Sequence, residues 1–318
     1  MLHIHATTCK AVRHALALSL VLQRECTITI DASLLTHTYY NRHLHDIVSV
    51  LKQLSLDITY SDGNITVRSS QLPPLTATIA LHPFCPVTDI FLTIAPALSR
   101  NAVQSDIQFT GVTHCQYSHS TGFVRFGLAP LLSRFGCFVH MATKKFGFYT
   151  ATGNVSAKVY PHTQKEMGAI VTVTRISGVR IYIANIDQEF AFYQKRELCK
   201  ALSLSDDIAG IMQVANVTNH GNAIDVFFTT GDIPSMLSFT MPLYDDTGNF
   251  IFDDAMMHEF LSTVITTCMH SYEYIPLPVV EEALPFLVAS GLDYTIVEKL
   301  NPNIVETESY SILKSFNE

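Results

Sequence analysis

The sequence has no tryptophan, few charges, no closely paired cysteines and no long apolar run. Each absence excludes something. Charged residues make up 15% of the 318 positions, against roughly 25% in ordinary soluble chains. Apolar residues reach 48%. Disorder needs the opposite balance of low hydrophobicity and high charge, so this chain packs. The longest early apolar run, Ala15 to Leu22 between Arg13 and Arg24, falls far short of the roughly 18 residues a membrane span needs. No small-residue cleavage site follows it, so it does not read as a signal peptide. The seven cysteines, at 9, 26, 85, 115, 137, 199 and 268, form no CxxC pair. A disulfide framework or zinc site needs close, paired ligands, so they read as buried thiols in a reducing compartment. The expectation is a soluble, intracellular chain with no membrane partner, whose low charge leaves apolar surface for a protein partner.

The histidines are more numerous, 14 in all, and His3, His5, His43 and His45 include pairs spaced two apart. Without a third ligand at metal spacing they imply no metal site, and no cofactor is expected. Net charge is distributed unevenly. Residues 1–200 hold 18 Lys+Arg against 11 Asp+Glu, a balance of +7, and residues 201–318 hold 2 against 17, a balance of −15. The last arginine is Arg196. Such a split suggests a basic face for nucleic acid and an acidic face for something basic, unless the two halves interleave on folding.

A helix–strand rhythm repeats along the chain. Ala11–Gln23 has helical spacing and Cys26–Asp31 alternates like a strand. His43–Leu54 is helical again, with Leu44, Ile47, Val48, Leu51 and Leu54 on one stripe. Leu56–Tyr60 and Ile65–Arg68 flank Ser61-Asp62-Gly63-Asn64, a hairpin turn. The order returns as helix Val87–Ser99, strand Ile107–Gly111, helix Thr121–Arg134, and strands Cys137–Lys144 and Val155–Tyr160. A third copy reads as helices Ala255–Cys268 and Val279–Ser290 with strand Tyr294–Val297. Between the second and third copies lie strands Ile170–Ile183, Ile211–Val217 and Ala223–Thr229 around helix Phe190–Leu204. The predicted fold class is α/β: a large domain of three repeated α/β units, residues 1–162 and 251–318, with residues 163–250 a smaller inserted α/β domain. A two-domain α/β enzyme broken near residue 165 is the alternative.

Gly111, Thr113, Ser120, Arg125, Ala129-Pro130 and Phe135-Gly136 occur in one ungapped segment, followed by Lys144-Lys145-Phe146-Gly147 and Gly153-Asn154-Val155 to Pro161. This order resembles the RNA 3′-terminal phosphate cyclase family. Arg175-Ile176-Ser177-Gly178 and the closing Tyr310 to Phe316 segment are similar to its eukaryotic ribosome-assembly branch. Family enzymes carry an adenylyl group on a histidine nucleophile, and covalent catalysis needs that nucleophile in place. The resemblance puts it near Glu298 to Ile304, where this chain has no histidine; none follows His270. Lys299 is the one nucleophilic amine in that window, and a lone lysine there is more often a solvated surface residue. Phosphate-facing glycines are also eroded, to Thr152-Gly153-Asn154 and to Ala6-Thr7-Thr8-Cys9 before the retained Arg13, and Ser118 stands where the family has aspartate.

These departures imply a non-catalytic member of the family. The resemblance then implies a nucleolar factor in the nucleus that helps mature 18S ribosomal RNA, with a large ribosome-assembly GTPase and pre-ribosomal RNA or a small-subunit precursor particle as partners. An active cyclase and a pre-rRNA endonuclease remain the alternatives. Arg13, Arg125, Arg134, Lys144, Lys145, Arg175 and Arg180 are the candidate RNA- or partner-binding residues. For each, a structural salt bridge or a solvated face is the competing reading. Asp206-Asp207, Asp245-Asp246 and Asp253-Asp254 read as loops and a helix start rather than metal ligands.

Overall fold

The computed structural model describes residues 1–68, 71–83, 85–164, 174–245 and 248–317. Two units of like topology open the chain. The first comprises β1 (Leu2–Ala6), α1 (Cys9–Leu22), β2 (Cys26–Ile30), α2 (Ala32–Thr36), α3 (Thr38–Gln53), β3 (Ile58–Ser61) and β4 (Asn64–Val67). Its sheet runs β1-β2-β4-β3, with β1 and β2 parallel and the rest antiparallel. Asp62 and Gly63 both have positive φ, 51° and 71°. That is the geometry whose twist matches a two-residue hairpin, and it joins β3 to β4 where the sequence placed a turn.

The second unit contains β5 (Thr76–Ala80), α4 (Val87–Leu98), β6 (Ser105–Gly111), a π-helical turn over Phe123–Leu128, α5 (Ala129–Arg134), β7 (Val139–Lys145) and β8 (Gly153–Val159). The order β5-β6-β8-β7 repeats the first sheet strand for strand. In each unit the parallel pair is bridged by a helix, as a parallel connection requires.

The third sheet is built differently. Strands β9 (Thr174–Ala184), β10 (Ala209–Gln213), β11 (Gly221–Thr230) and β12 (Ile233–Thr240), with α6 (Gln188–Ala201), take the order β10-β9-β11-β12. Of the strand expected over Ile170–Ile183, residues 170–173 lie outside the described residues. Next come α7 (Asp254–Met269), α8 (Leu277–Ala289), α9 (Ile296–Leu300) and α10 (Glu308–Asn317).

Two boundaries differ from the sequence reading. Helix α7 buries Met257, Phe260, Leu261, Val264 and Cys268 in one core with Val179, Ile181, Val226 and Leu198 of the third sheet and α6. Its apolar stripe therefore belongs to the insert, not to the large domain that 251–318 was assigned to. Tyr294–Val297 is not a strand. The Asp293 carboxylate accepts from the Thr295 backbone N–H, and Val297 and Leu300 share one buried helical face of α9. The third unit thus contributes helices to the large core and no strand among the described residues. Helices α1, α4 and α8 are buried nearly all round and meet at the centre of that core.

Candidate functional site

A helix buried on every side must satisfy its polar groups from its neighbours, since an unpaired buried charge is costly. Helix α1 carries Lys10, Arg13 and His14, α4 carries Asp89 in its first turn, and α8 carries Glu281 and Glu282. Arg13 is 3% exposed and Glu282 1%. The Arg13 guanidinium donates to both Glu282 oxygens, with Nη1 2.7 Å from Oε2 and Nη2 on Oε1. This two-pronged pairing is the strong form of an arginine–carboxylate contact. Nε2 of His14 lies 3.1 Å from Glu282 Oε2, and Nε2 of His119 lies 3.2 Å from Oε1. Asp89 takes Nε of Arg13 at 3.5 Å, Nε2 of His43 at 2.8 Å and the Ser118 hydroxyl at 2.7 Å. Lys10 Nζ donates to Glu281 at 2.6 Å, and Ser309 donates to the other Glu281 oxygen at 3.1 Å.

The charge states follow from these contacts. Burial opposes ionisation of Glu282, but Arg13 and His14 outweigh it and hold its pKa well below the usual carboxylate range. Burial likewise works against Asp89, and His43, Arg13 and Ser118 bring its pKa below normal. Burial also opposes the Arg13 charge, which Glu282 and Asp89 more than restore. The pKa of His14 is lowered by burial in spite of Glu282. Three carboxylates thus face two permanent cations and three imidazoles inside the chain itself.

A cavity of about 300 Å³ opens over this cluster, lined among others by Cys9, Lys10, Arg13, Asp89, Ser118 and His119. It adjoins a second, more apolar cavity of about 470 Å³ that reaches Phe239, Met256 and Phe260 on the insert. Gln116, Tyr117, Ser118 and Ser238 line both, so one cleft runs between the large domain and the insert. The Cys9 thiol is pushed up to about 12 by burial and by Asp89, which leaves it a poor nucleophile. His119 is the imidazole on the cleft wall: its side chain is 23% exposed and stacks on Phe123 at 3.9 Å.

Sequence reasoning found Arg13 but read it as a contact to RNA or a partner; the structure spends it on Glu282 and Asp89. It did not find Asp89, Glu281, Glu282 or His119. Arg13 and Glu282 are 269 residues apart, and nothing local signals that pairing. Arg134 pairs with Asp232 at the rim of the insert. Lys144 donates to Gln108 at 3.1 Å. Arg125, Lys145 and Arg175 are exposed and Arg180 is half-buried, and none of them lines the cavity over the buried cluster. Lys299 is exposed on α9 and is not among the residues lining the cleft. Asp206 pairs with Lys195, Asp253 caps α7 through Met256, and Asp246 lies outside the described residues. Among the described residues no group of three or more His, Cys, Asp or Glu is arranged to hold a metal.

A family model described as RNA 3′-terminal phosphate cyclase matches residues 42–272. The chain belongs to the RNA 3′-terminal phosphate cyclase family. The matched span contains Asp89 and the loop bearing Ser118 and His119, and stops short of Arg13 and Glu282. No curated protein matches significantly. Among solved structures, the crystal structure of the enolpyruvyl transferase NikO from Streptomyces tendae is similar at 14% identity and a TM-score of 0.31, over 65% of this chain and 38% of that one. The chain therefore spans less than half the length of that transferase.

Proposed function

We propose that this chain is a non-catalytic family member, a nucleolar scaffold in 18S ribosomal RNA maturation that holds a large assembly GTPase and pre-ribosomal RNA. The observation that carries the proposal is the self-neutralised cleft. Lys10 and Arg13, the cations at its floor, are engaged by Glu281, Glu282 and Asp89 of the same chain. A triphosphate brought there would meet three carboxylates, and like charges at short range oppose binding. The residues after His270 offer no histidine to carry an adenylyl group. What the cleft retains is shape: an apolar wall on the insert beside a polar floor, the composition of a partner pocket. Affinity purification from the source cells at moderate salt tests this reading. Recovery of small-subunit precursors with a large GTPase supports it; isolation of a free monomer removes the assembly role.

One observation favours a second reading, that of a pre-rRNA endonuclease. His119 is a cleft imidazole oriented by a carboxylate, the arrangement general acid–base chemistry uses. Cleavage of precursor RNA by the purified chain, abolished by His119→Ala, would establish it in place of the scaffold.

A further inference from the structure

Residues 201–298 contain neither lysine nor arginine, and within them lie two apolar side chains that no core claims. Phe250 is 44% exposed and Ile251 37%, and neither belongs to the cores of the large domain or the insert. Their backbone is held all the same. Tyr244 and Phe250 form an antiparallel bridge, and the Ile251 N–H donates to the Leu243 carbonyl at 2.9 Å. The Phe250 ring stacks on His220 at 4.0 Å and lies 6.3 Å from Phe252. Phe252 in turn meets Phe190 edge-on at 4.6 Å. Phe190, Phe250, Ile251 and Phe252 are not among the residues lining the cleft.

Acidic groups stand around these rings because two helices begin beside them. Phe252 meets Phe190, and the Tyr193 hydroxyl lies 3.3 Å from Nδ1 of His258, so α6 and α7 run side by side with their N-termini at one end. Asp187 caps α6 and Asp253 caps α7, while Glu189 and Asp254 stand in the first turns. All four are exposed. Asp206 finds Lys195, whereas none of these four pairs with a lysine, arginine or histidine among the described residues. Capping and the helix dipole account for the acids. They do not account for a phenyl ring and an isoleucine left outside every core beside them.

We propose that this patch docks an arginine-bearing segment of a partner protein. Charge complementarity chooses the occupant. A wholly apolar partner would strip water from the carboxylates and offer them nothing in return. Nucleic acid would be repelled by them. A guanidinium lies flat on a ring face and forks to a carboxylate, so one type of side chain satisfies both halves of the patch. Its aliphatic stem covers the apolar surface of Phe250 and Ile251. The patch goes beyond the scaffold reading, since it fits a basic protein segment whatever the cleft holds.

The test is fluorescence anisotropy on the purified chain with a labelled peptide of alternating arginine and alanine. Phe250→Ser keeps every charge and should weaken binding about 5-fold with the salt dependence unchanged. Asp253→Asn with Asp254→Asn preserves the cap. It should weaken binding by a similar factor at low salt and flatten the salt dependence. A lysine–alanine peptide should bind less tightly than the arginine one. Met269→Ser is the control and should bind as the parent does: Met269 is 57% exposed, about 22 Å away at the far end of α7. If Phe250→Ser fails to fold, as read by circular dichroism, Ile251→Ser makes the same measurement. The patch is overturned if the folded Phe250 or Ile251 variant binds as the parent does, or if Met269→Ser costs as much. It is equally overturned if a glutamate–alanine peptide or an oligouridylate binds as tightly. Binding that falls with the carboxylates while the apolar variants change nothing would mark a generic acidic surface in place of a docking site.

Discussion

Glu282 accepts from Arg13 twice and lies against two imidazoles, itself almost wholly buried. Truncating one side of such a buried pair leaves the other charge unpaired, which costs about 3–5 kcal/mol. Glu282→Ala should therefore lower the urea midpoint sharply, whereas removing the exposed partner of Arg134 with Asp232→Ala should cost about 1 kcal/mol or less. Asp225 behaves in the opposite sense to Glu282. Both of its oxygens are buried, and the Ser238 and Tyr182 hydroxyls with Arg180 are the groups that ease its charge. Burial outweighs Ser238, Tyr182 and Arg180 and pushes its pKa from 3.8 up to about 6. The folded state then binds the proton more tightly than the unfolded state. Its contribution is fully favourable below 3.8 and is lost as pH rises through about 6. Asp225→Asn should raise the unfolding midpoint at pH 7 and leave it nearly unchanged at pH 3.5, read by thermal denaturation across that window. Equal shifts at both pH values would contradict the assignment. Neither carboxylate was legible in the sequence. Glu282 sits in an ordinary-looking apolar helix, and Asp225 occupies an inward strand position where alternation alone predicts nothing about charge.

At the scale of elements, periodicity placed most helices and the first hairpin, because apolar spacing and Asp-Gly turn chemistry are local facts. Its failures have identifiable causes. Strand β12 went unread because Pro234 stands at its second position, and a proline argues against a strand interior. The structure tolerates it because β12 is the edge of its sheet. Residues 123–128 have plain helical spacing, yet they form a π turn. Gly127 lies against β12 there, and an added Cβ would stand 2.7 Å from the Met236 carbonyl oxygen. No side chain fits without moving backbone, so Gly127→Ala should destabilise the chain by about 1–3 kcal/mol. It should also loosen the insert from the large domain, seen as faster hydrogen exchange in β12 before global unfolding. Unchanged exchange there would mean that the contact does not hold the two together.

Over the whole molecule, the +7 and −15 balances are partly paired off against each other. Part of the difference is consumed by pairing, as cations of the first 200 residues meet carboxylates of the last 118: Lys10 with Glu281 and Arg13 with Glu282 at the cleft floor, Arg134 with Asp232 and Lys195 with Asp206 at the surface. The asymmetry along the sequence is in this respect a record of long-range pairing, and composition could not distinguish it from a pair of binding surfaces. On the proposed reading the same pairing disfavours phosphate in the cleft, so the absence of adenylyl transfer is the claim on which the scaffold depends. The direct measurement is incubation of the purified chain with α-labelled ATP, magnesium and a 3′-phosphorylated RNA, followed by denaturing electrophoresis and analysis of the RNA end. A scaffold gives no labelled protein and an unchanged 3′-phosphate. A labelled protein band lost in His119→Ala or Lys299→Ala, together with a 2′,3′-cyclic end, would contradict it.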